Sequence, residues 1–237
     1  MVFYSDVFTF NNVHSRDVNI SLVYESSDVL NDYGYSFNID DEDKEITLSF
    51  CYSYDNTPLR WDNDVVNEFL GWMITDDYCE FISEDDESVS YFLKGVGYNK
   101  RFTHDMMGII DITFKMLSNY AYKSYIKTVK KPSGEFIIQN DSNVNKPCKP
   151  IIEIQNISSK SIKIHNLTTN KKPFIINTNA SKNIVVDNET GIVRNEEGKN
   201  FITDCNRKWI EIIRGKNIIF VEGDCDITFK IYYPVMV

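Results

Sequence analysis

The sequence predicts a mainly β protein of two domains: an N-terminal β-sandwich-like domain with one α-helix, then a C-terminal β-sandwich of jelly-roll type. Three observations carry this. Short runs alternating apolar and polar residues recur along the chain, the period of a strand with one buried face. One stretch, Asp62–Met73, departs from that period and follows a helical one. The charge also changes sign. Residues 1–123 hold 8 Lys+Arg against 23 Asp+Glu (net −15) and residues 124–237 hold 17 against 12 (net +5), in a chain of net charge −10.

In the first half, Val18–Tyr24 reads Val-Asn-Ile-Ser-Leu-Val-Tyr, a strand. In Glu45–Tyr54, Ile46, Leu48 and Phe50 fall on one face while Glu45, Thr47 and Ser49 fall on the other. The acidic run Asp40–Asp43 between them is a solvated turn. In the helix, Val65, Val66, Phe69, Leu70 and Met73 form the apolar stripe, and Asp62 or Asn63 supplies the N-cap. Thr75-Asp76-Asp77 stops it. Tyr78–Ile82 returns to β, Glu84–Glu87 makes a hairpin tip, and Val89–Tyr98 and Ile109–Leu117 are further strands. Gly95-Val96-Gly97, inside a strand pattern, reads as a bulge or kink.

The periodicity breaks at Lys127–Gly134, placing the domains at residues 1–130 and 131–237. Beyond it the expected strands are Glu135–Gln139, Ile151–Ile154, Ser161–His165, Phe174–Asn177, Asn183–Val186, Trp209–Ile213, Asn217–Glu222 and Asp226–Tyr232. Turns rich in Asn and Gly separate them, at a spacing typical of sandwiches.

Composition then narrows the function. With 42% hydrophobic residues, 14 Tyr and 15 Phe, the chain can pack a core. No Lys/Arg cluster exceeds a pair such as Lys130-Lys131 or Lys171-Lys172, so no nucleic-acid partner is expected. Apolar runs are broken by charges, so no membrane partner is expected either. Met1–Asp6 has neither the basic nor the apolar region of a secretory signal. Synthesis in a reducing cytoplasm follows, with Cys51, Cys79, Cys148, Cys205 and Cys225 as free, mostly structural thiols. Asp141–Asn145 matches the start of a calcium loop, but Lys146 stands where the sharp Gly turn belongs and Ile152 where the bidentate Glu belongs. No nucleophile signature, Cys–His pair, phosphate loop or zinc spacing occurs. The reading is a non-enzyme with no catalytic residue, cofactor or metal. Tyr120, Tyr122 and Tyr125 follow a strand closely, where such residues either line a subunit interface or cover the edge of the core.

The order of these elements resembles a known family. Tyr33–Ile39, an alternating strand, Arg60 ahead of a helix containing Gly71-Trp72-Met73, a hairpin, and Ile112–Lys123 together resemble the N-terminal domain of siphophage distal tail proteins. Those proteins usually end the last segment in Asp-Pro-Tyr-x-Tyr. Here Ser118-Asn119 replaces Asp-Pro, while Tyr120 and Tyr122 match. Phe136–Asn140, Pro150–Ile154, Ile162–Thr169, Ile184–Asp187 and Gly215–Val221 are similar to the family's C-terminal galectin-like sandwich. The resemblance implies a virion protein of the phage tail tip, made in the bacterial host cytoplasm. Its N-terminal domains would form a hexameric hub joining the tail tube to the host-adsorption apparatus, with Tyr120 and Tyr122 as interface candidates. The implied partners are copies of itself, the tail tube protein and a tail-tip or tail-associated protein, with a receptor-binding protein as a further candidate. Larger members carry an inserted carbohydrate-binding module, for which 237 residues leave no room. The alternative is a non-catalytic carbohydrate-binding sandwich using Trp209, Tyr232 and Tyr233, although the Ile-rich run around Trp209 reads as core.

Overall fold

A computed structural model describes residues 3–25, 44–55, 57–132 and 134–236, and the structural statements below concern these. The expected turn at Asp40–Asp43 and the Tyr33–Ile39 segment lie outside them. Contacts divide the chain into two units, Met1–Ala121 and Tyr122–Val237.

The first unit holds β1 (Phe3–Asp6), β2 (Phe8–Phe10), β3 (Val13–His14), β4 (Ile20–Glu25), β5 (Glu45–Tyr54), β6 (Thr57–Pro58), α1 (Asn63–Met73), β7 (Cys79–Ser83), β8 (Tyr91–Phe102) and β9 (Gly108–Met116). Its antiparallel sheet runs β1-β4-β5-β9-β8-β7-β2-β3, with β6 added beside β5. The strand expected at Val18 begins at Ile20. Ser15–Val18 instead forms a 3-10 turn that Asn19 closes in the left-handed conformation, one that Asn tolerates.

This single sheet makes a two-layered core by curling. Three strands stand between β2 and β5, which in a flat sheet would put them about 19 Å apart. Yet the rings of Phe8 on β2 and Phe50 on β5 are 5.3 Å apart. Phe10 meets Phe114 of β9 at 5.7 Å. Helix α1 closes the space. The Asp62 carboxylate accepts from the Val65 N–H at 2.9 Å, the N-cap that satisfies a donor the first turn would otherwise orphan. Val66, Phe69 and Met73 are buried, and Trp72 stacks on Phe8 at 5.7 Å. Just ahead of the helix, Trp61 is fully buried and donates its indole N–H to Gly108 O at 3.0 Å. The expected bulge is present, with the β8–β9 register shifting between Gly95 and Gly97.

The second unit holds β10 (Ala121–Lys130), β11 (Gly134–Asn140), β12 (Ile151–Gln155), β13 (Ser161–Asn166), β14 (Phe174–Asn177), β15 (Ile184–Asp187), β16 (Ile192–Asn195), β17 (Gly215–Glu222) and β18 (Asp226–Val235). They form two antiparallel sheets, β10-β18-β12-β15-β16 and β11-β17-β13-β14. Inward residues alternate along each strand. Ile152, Ile154, Ile227, Phe229 and Ile231 from one sheet and Ile138, Ile162, Ile164, Ile219 and Val221 from the other are all buried. This is a β-sandwich, the fold class the alternation predicts.

Three features differ from the sequence reading. The break in contacts falls between Ala121 and Tyr122, ahead of the Lys127–Gly134 interruption, because β10 pairs with β18 as an edge of the second unit's sheet. Counted at that boundary, residues 1–121 carry 7 Lys+Arg and 23 Asp+Glu (net −16), and residues 122–237 carry 18 and 12 (net +6). Second, Ile192–Asn195, lying between two turn signals, is a short strand. Third, Trp209–Ile213 is not a strand; only Ile212 makes a bridge, to Cys148. Asparagine side chains take the backbone groups a ladder would use. Asn188 accepts from Ile210 N–H (2.8 Å), Asn166 donates to Glu211 O (2.8 Å), and Asn217 bonds both Ile213 N–H (3.0 Å) and Ile213 O (2.7 Å). The alternation predicted an extended chain and could not show that amides would replace the neighbouring strand.

The boundary carries a prediction. A fragment beginning at Tyr122 keeps β10 and should give a well-dispersed amide NMR spectrum. One beginning at Gly134 exposes the flank of β18 and should be less stable by ~2 kcal/mol or more, from the lost apolar burial and ladder. Equal urea midpoints for the two fragments would count against β10 as part of this unit.

Candidate functional site

The described residues do not concentrate chemistry at one place. Among them, no three His, Cys, Asp or Glu side chains stand close enough to hold a metal. The calcium-like loop serves the fold. Ser142 Oγ donates to Val144 O and Pro234 O, Asn143 Nδ2 donates to Met236 O at 2.8 Å, and Gln139 Nε2 donates to Asp141 at 3.0 Å. The bonds to Pro234 O and Met236 O fasten the end of β18.

All five cysteines are free thiols. Burial pushes the Cys148 thiol up to about 12 and the Cys225 thiol up to about 11, and it also raises Cys51. Raised thiols stay protonated at neutral pH and are poor nucleophiles. Glu84, in the acidic hairpin tip, accepts from Arg16 at 2.8 Å and lies 3.3 Å from His14, an exposed ionic cluster. Asp111 is the most organised carboxylate. Burial opposes its ionisation, but the Arg101 fork (2.7 and 2.8 Å) and the Ser49 hydroxyl (2.7 Å) outweigh that and hold it below the usual range. The three side chains come from adjacent strands β8, β9 and β5, so they tie the sheet laterally.

Tyr120 and Tyr122 flank the buried Ala121 and are themselves half-buried. Tyr120 lies in the turn before β10, where its N–H donates to Ser118 Oγ at 3.2 Å, and Tyr122 lies within β10. The division between the two units falls at this pair. The other expected aromatic set does not assemble. Tyr232 and Tyr233 are neighbours on β18 and so point to opposite faces of its sheet; Tyr233 is buried while Tyr232 is 38% exposed. Trp209, expected as core, is only half-buried.

Residues 119–231 match the family model of a phage tail C-terminal domain. No curated protein matches the chain. Solved structures share its fold over nearly the whole length. The Dit protein of phage SPP1, described as a paradigm of the hub adsorption apparatus in phages infecting Gram-positive bacteria, is 12% identical with a TM-score of 0.57. That alignment covers 98% of this chain and 100% of the other. A chain of the phage P2 baseplate in its activated conformation is 9% identical with a TM-score of 0.59, covering 98% of each chain. A second P2 baseplate chain is 10% identical with a TM-score of 0.53, covering 98% of this chain and 86% of the other. In fold the chain is a two-unit protein of antiparallel β-sheets, similar over nearly its whole length to a phage hub protein and to chains of a phage baseplate. That shared fold agrees with the resemblance to siphophage distal tail proteins carried by the order of its sequence motifs.

Proposed function

We propose that this chain is a structural component of a phage tail tip, a non-catalytic hub whose first unit closes into a six-membered ring. The ring joins the tail tube to the host-adsorption apparatus. The supporting observation is the shared fold with a phage hub protein over 98% of this chain, together with the phage tail domain matched at residues 119–231. The second unit, galectin-like in this reading, offers attachment to tail-tip or receptor-binding proteins. The protein resides in the virion after synthesis in the host cytoplasm.

Electrostatics sets the kind of contact. A unit at −16 repels its own copies, so apolar burial and backbone pairing must hold the ring, with Tyr120 and Tyr122 as anchors. Such an interface strengthens as salt screens the repulsion, the opposite of a salt-bridged one. Sedimentation velocity of the full chain should show a hexamer, or a monomer–hexamer mixture that shifts towards hexamer with salt. Changing both tyrosines to Ala should shift it towards monomer while the second unit keeps its melting temperature. A chain that stays monomeric at high concentration and high salt, alone and with its tail partners, would sink the proposal.

A further inference from the structure

On the second unit, the β13–β14 hairpin, the stretch before β17 and the segment just ahead of β12 bring five cations together. Lys149, Lys171, Lys172, Arg207 and Lys208 surround an open basin of about 410 Å³. Trp209 and a single acid, Glu211, complete its lining. Glu211 pairs with Lys171, and Lys149 reaches Glu189 at 3.7 Å. Lys172, Arg207 and Lys208 have no carboxylate partner among the described residues. A cation cluster left unneutralised on a unit of net charge +6 favours an anion.

The basin is held in shape from beneath. Asn206 Oδ1 accepts from Ile175 N–H at 3.1 Å and Lys208 N–H at 3.2 Å, while its Nδ2 donates to Pro173 O at 2.8 Å. That pinning keeps Arg207 in the left-handed region, at φ 54°, an unfavourable conformation for a long side chain. Trp209 stacks on the buried Phe174 at 6.0 Å, and Gly191 lies close against its six-membered ring. The other two indoles, Trp61 and Trp72, each donate to a backbone carbonyl at 3.0 Å. The Trp209 N–H has no acceptor among the described residues. The half-buried indole thus lines the basin with a spare donor beside Lys172, Lys208 and Arg207, whose Nε also donates to Ile202 O at 3.4 Å.

We propose that this basin binds an anionic saccharide, a sugar bearing a carboxylate or a phosphate. Its ring would pack on the Trp209 indole and its acid group would lie among Lys172, Arg207 and Lys208. An aromatic surface beside charged donors suits a ligand with one apolar face and one ionised group. The basin's volume is at the small end of ligand sites, room for a short molecule. A nucleic-acid strand is disfavoured because it needs successive stacking platforms along a groove, and one indole supplies a single step.

The test follows the Trp209 indole N–H in ¹H–¹⁵N NMR spectra of the full chain, assigned with Trp209→Phe, during titration with trigalacturonic acid and with glucose 6-phosphate. Neutral galactotriose and glucose are the controls. Either acidic sugar should move that resonance while leaving the Trp61 and Trp72 indoles in place, and which one does so identifies the acid group. Lys172→Glu combined with Lys208→Glu, both at the surface, should weaken binding about ten-fold or more, with the other two indole resonances reporting an intact fold. No shift with either acid up to ~10 mM, an equal response to the neutral sugars, or tighter binding of an oligothymidylate or an oligo-aspartate peptide would each overturn the proposal.

Discussion

Gly95→Ala should unfold the first unit at a temperature lower by about 10 °C or more, corresponding to at least ~3 kcal/mol. Gly95 bridges to Ile74, the residue on which α1 ends. A methyl group there would stand 2.9 Å from the Met73 carbonyl carbon and closer still to its oxygen. Both are backbone atoms at the helix terminus, so neither can rotate aside. Relief requires the helix end to move from β8, and Met73 and Phe69 would lose core contacts with it. Gly71→Ala is the internal control. It lies on the exposed face of the same helix with nothing within 4 Å of an added methyl, and alanine there should stabilise by roughly 0.5–1 kcal/mol. Circular dichroism melts of the two variants check both signs. Similar midpoints would mean that the close approach of helix and strand is wrong.

Asn217→Ala should cost the second unit about 3 kcal/mol. Asn217 is fully buried and uses its whole amide. Oδ1 accepts from Ile213 N–H (3.0 Å) and Asn166 Nδ2 (2.9 Å); Nδ2 donates to Ile213 O (2.7 Å) and Gly215 O (3.0 Å). Truncation leaves the half-buried Ile213 and Gly215 backbone groups and the buried Asn166 amide without this partner, and an unsatisfied buried polar group costs more than a bond between satisfied ones contributes. The loss should fall on the stretch ahead of β17, which amides hold in place of strand neighbours. Urea denaturation gives the magnitude, and faster hydrogen exchange at the Ile213 amide gives the place. An unchanged Ile213 exchange rate in a destabilised variant would show that the loss arises elsewhere.

The two sites show how legibility divides. Gly95-Val96-Gly97 could be read as a bulge because glycines inside a strand pattern have few other uses. What Gly95 makes room for could not be read, since the helix end that meets it lies about twenty residues earlier in the chain. The helix itself was legible, because a cap at Asp62 or Asn63 and the apolar stripe are local signals, and the structure makes Asp62 the cap. Trp209–Ile213 shows the reverse. Its buried Ile210 and Ile212 follow the alternation, but the partners of its backbone are side chains at positions 166, 188 and 217.

The sequence by itself determined the β class, the single helix, most strand positions and the change of charge between halves. Each of these depends on neighbours two to four residues apart, the range over which strand and helix periods operate. Only the tertiary structure decided that one sheet curls to bring Phe8 against Phe50, that β10 belongs to the second unit, and that Lys171-Lys172 and Arg207-Lys208 meet around Trp209. Along the chain those two basic pairs are unremarkable and far apart. Pairing β14 against β13 and pinning Asn206 to the start of β14 bring them together. Adjacency of that kind is set by strand pairing and turn geometry across dozens of residues, and a local pattern does not encode it.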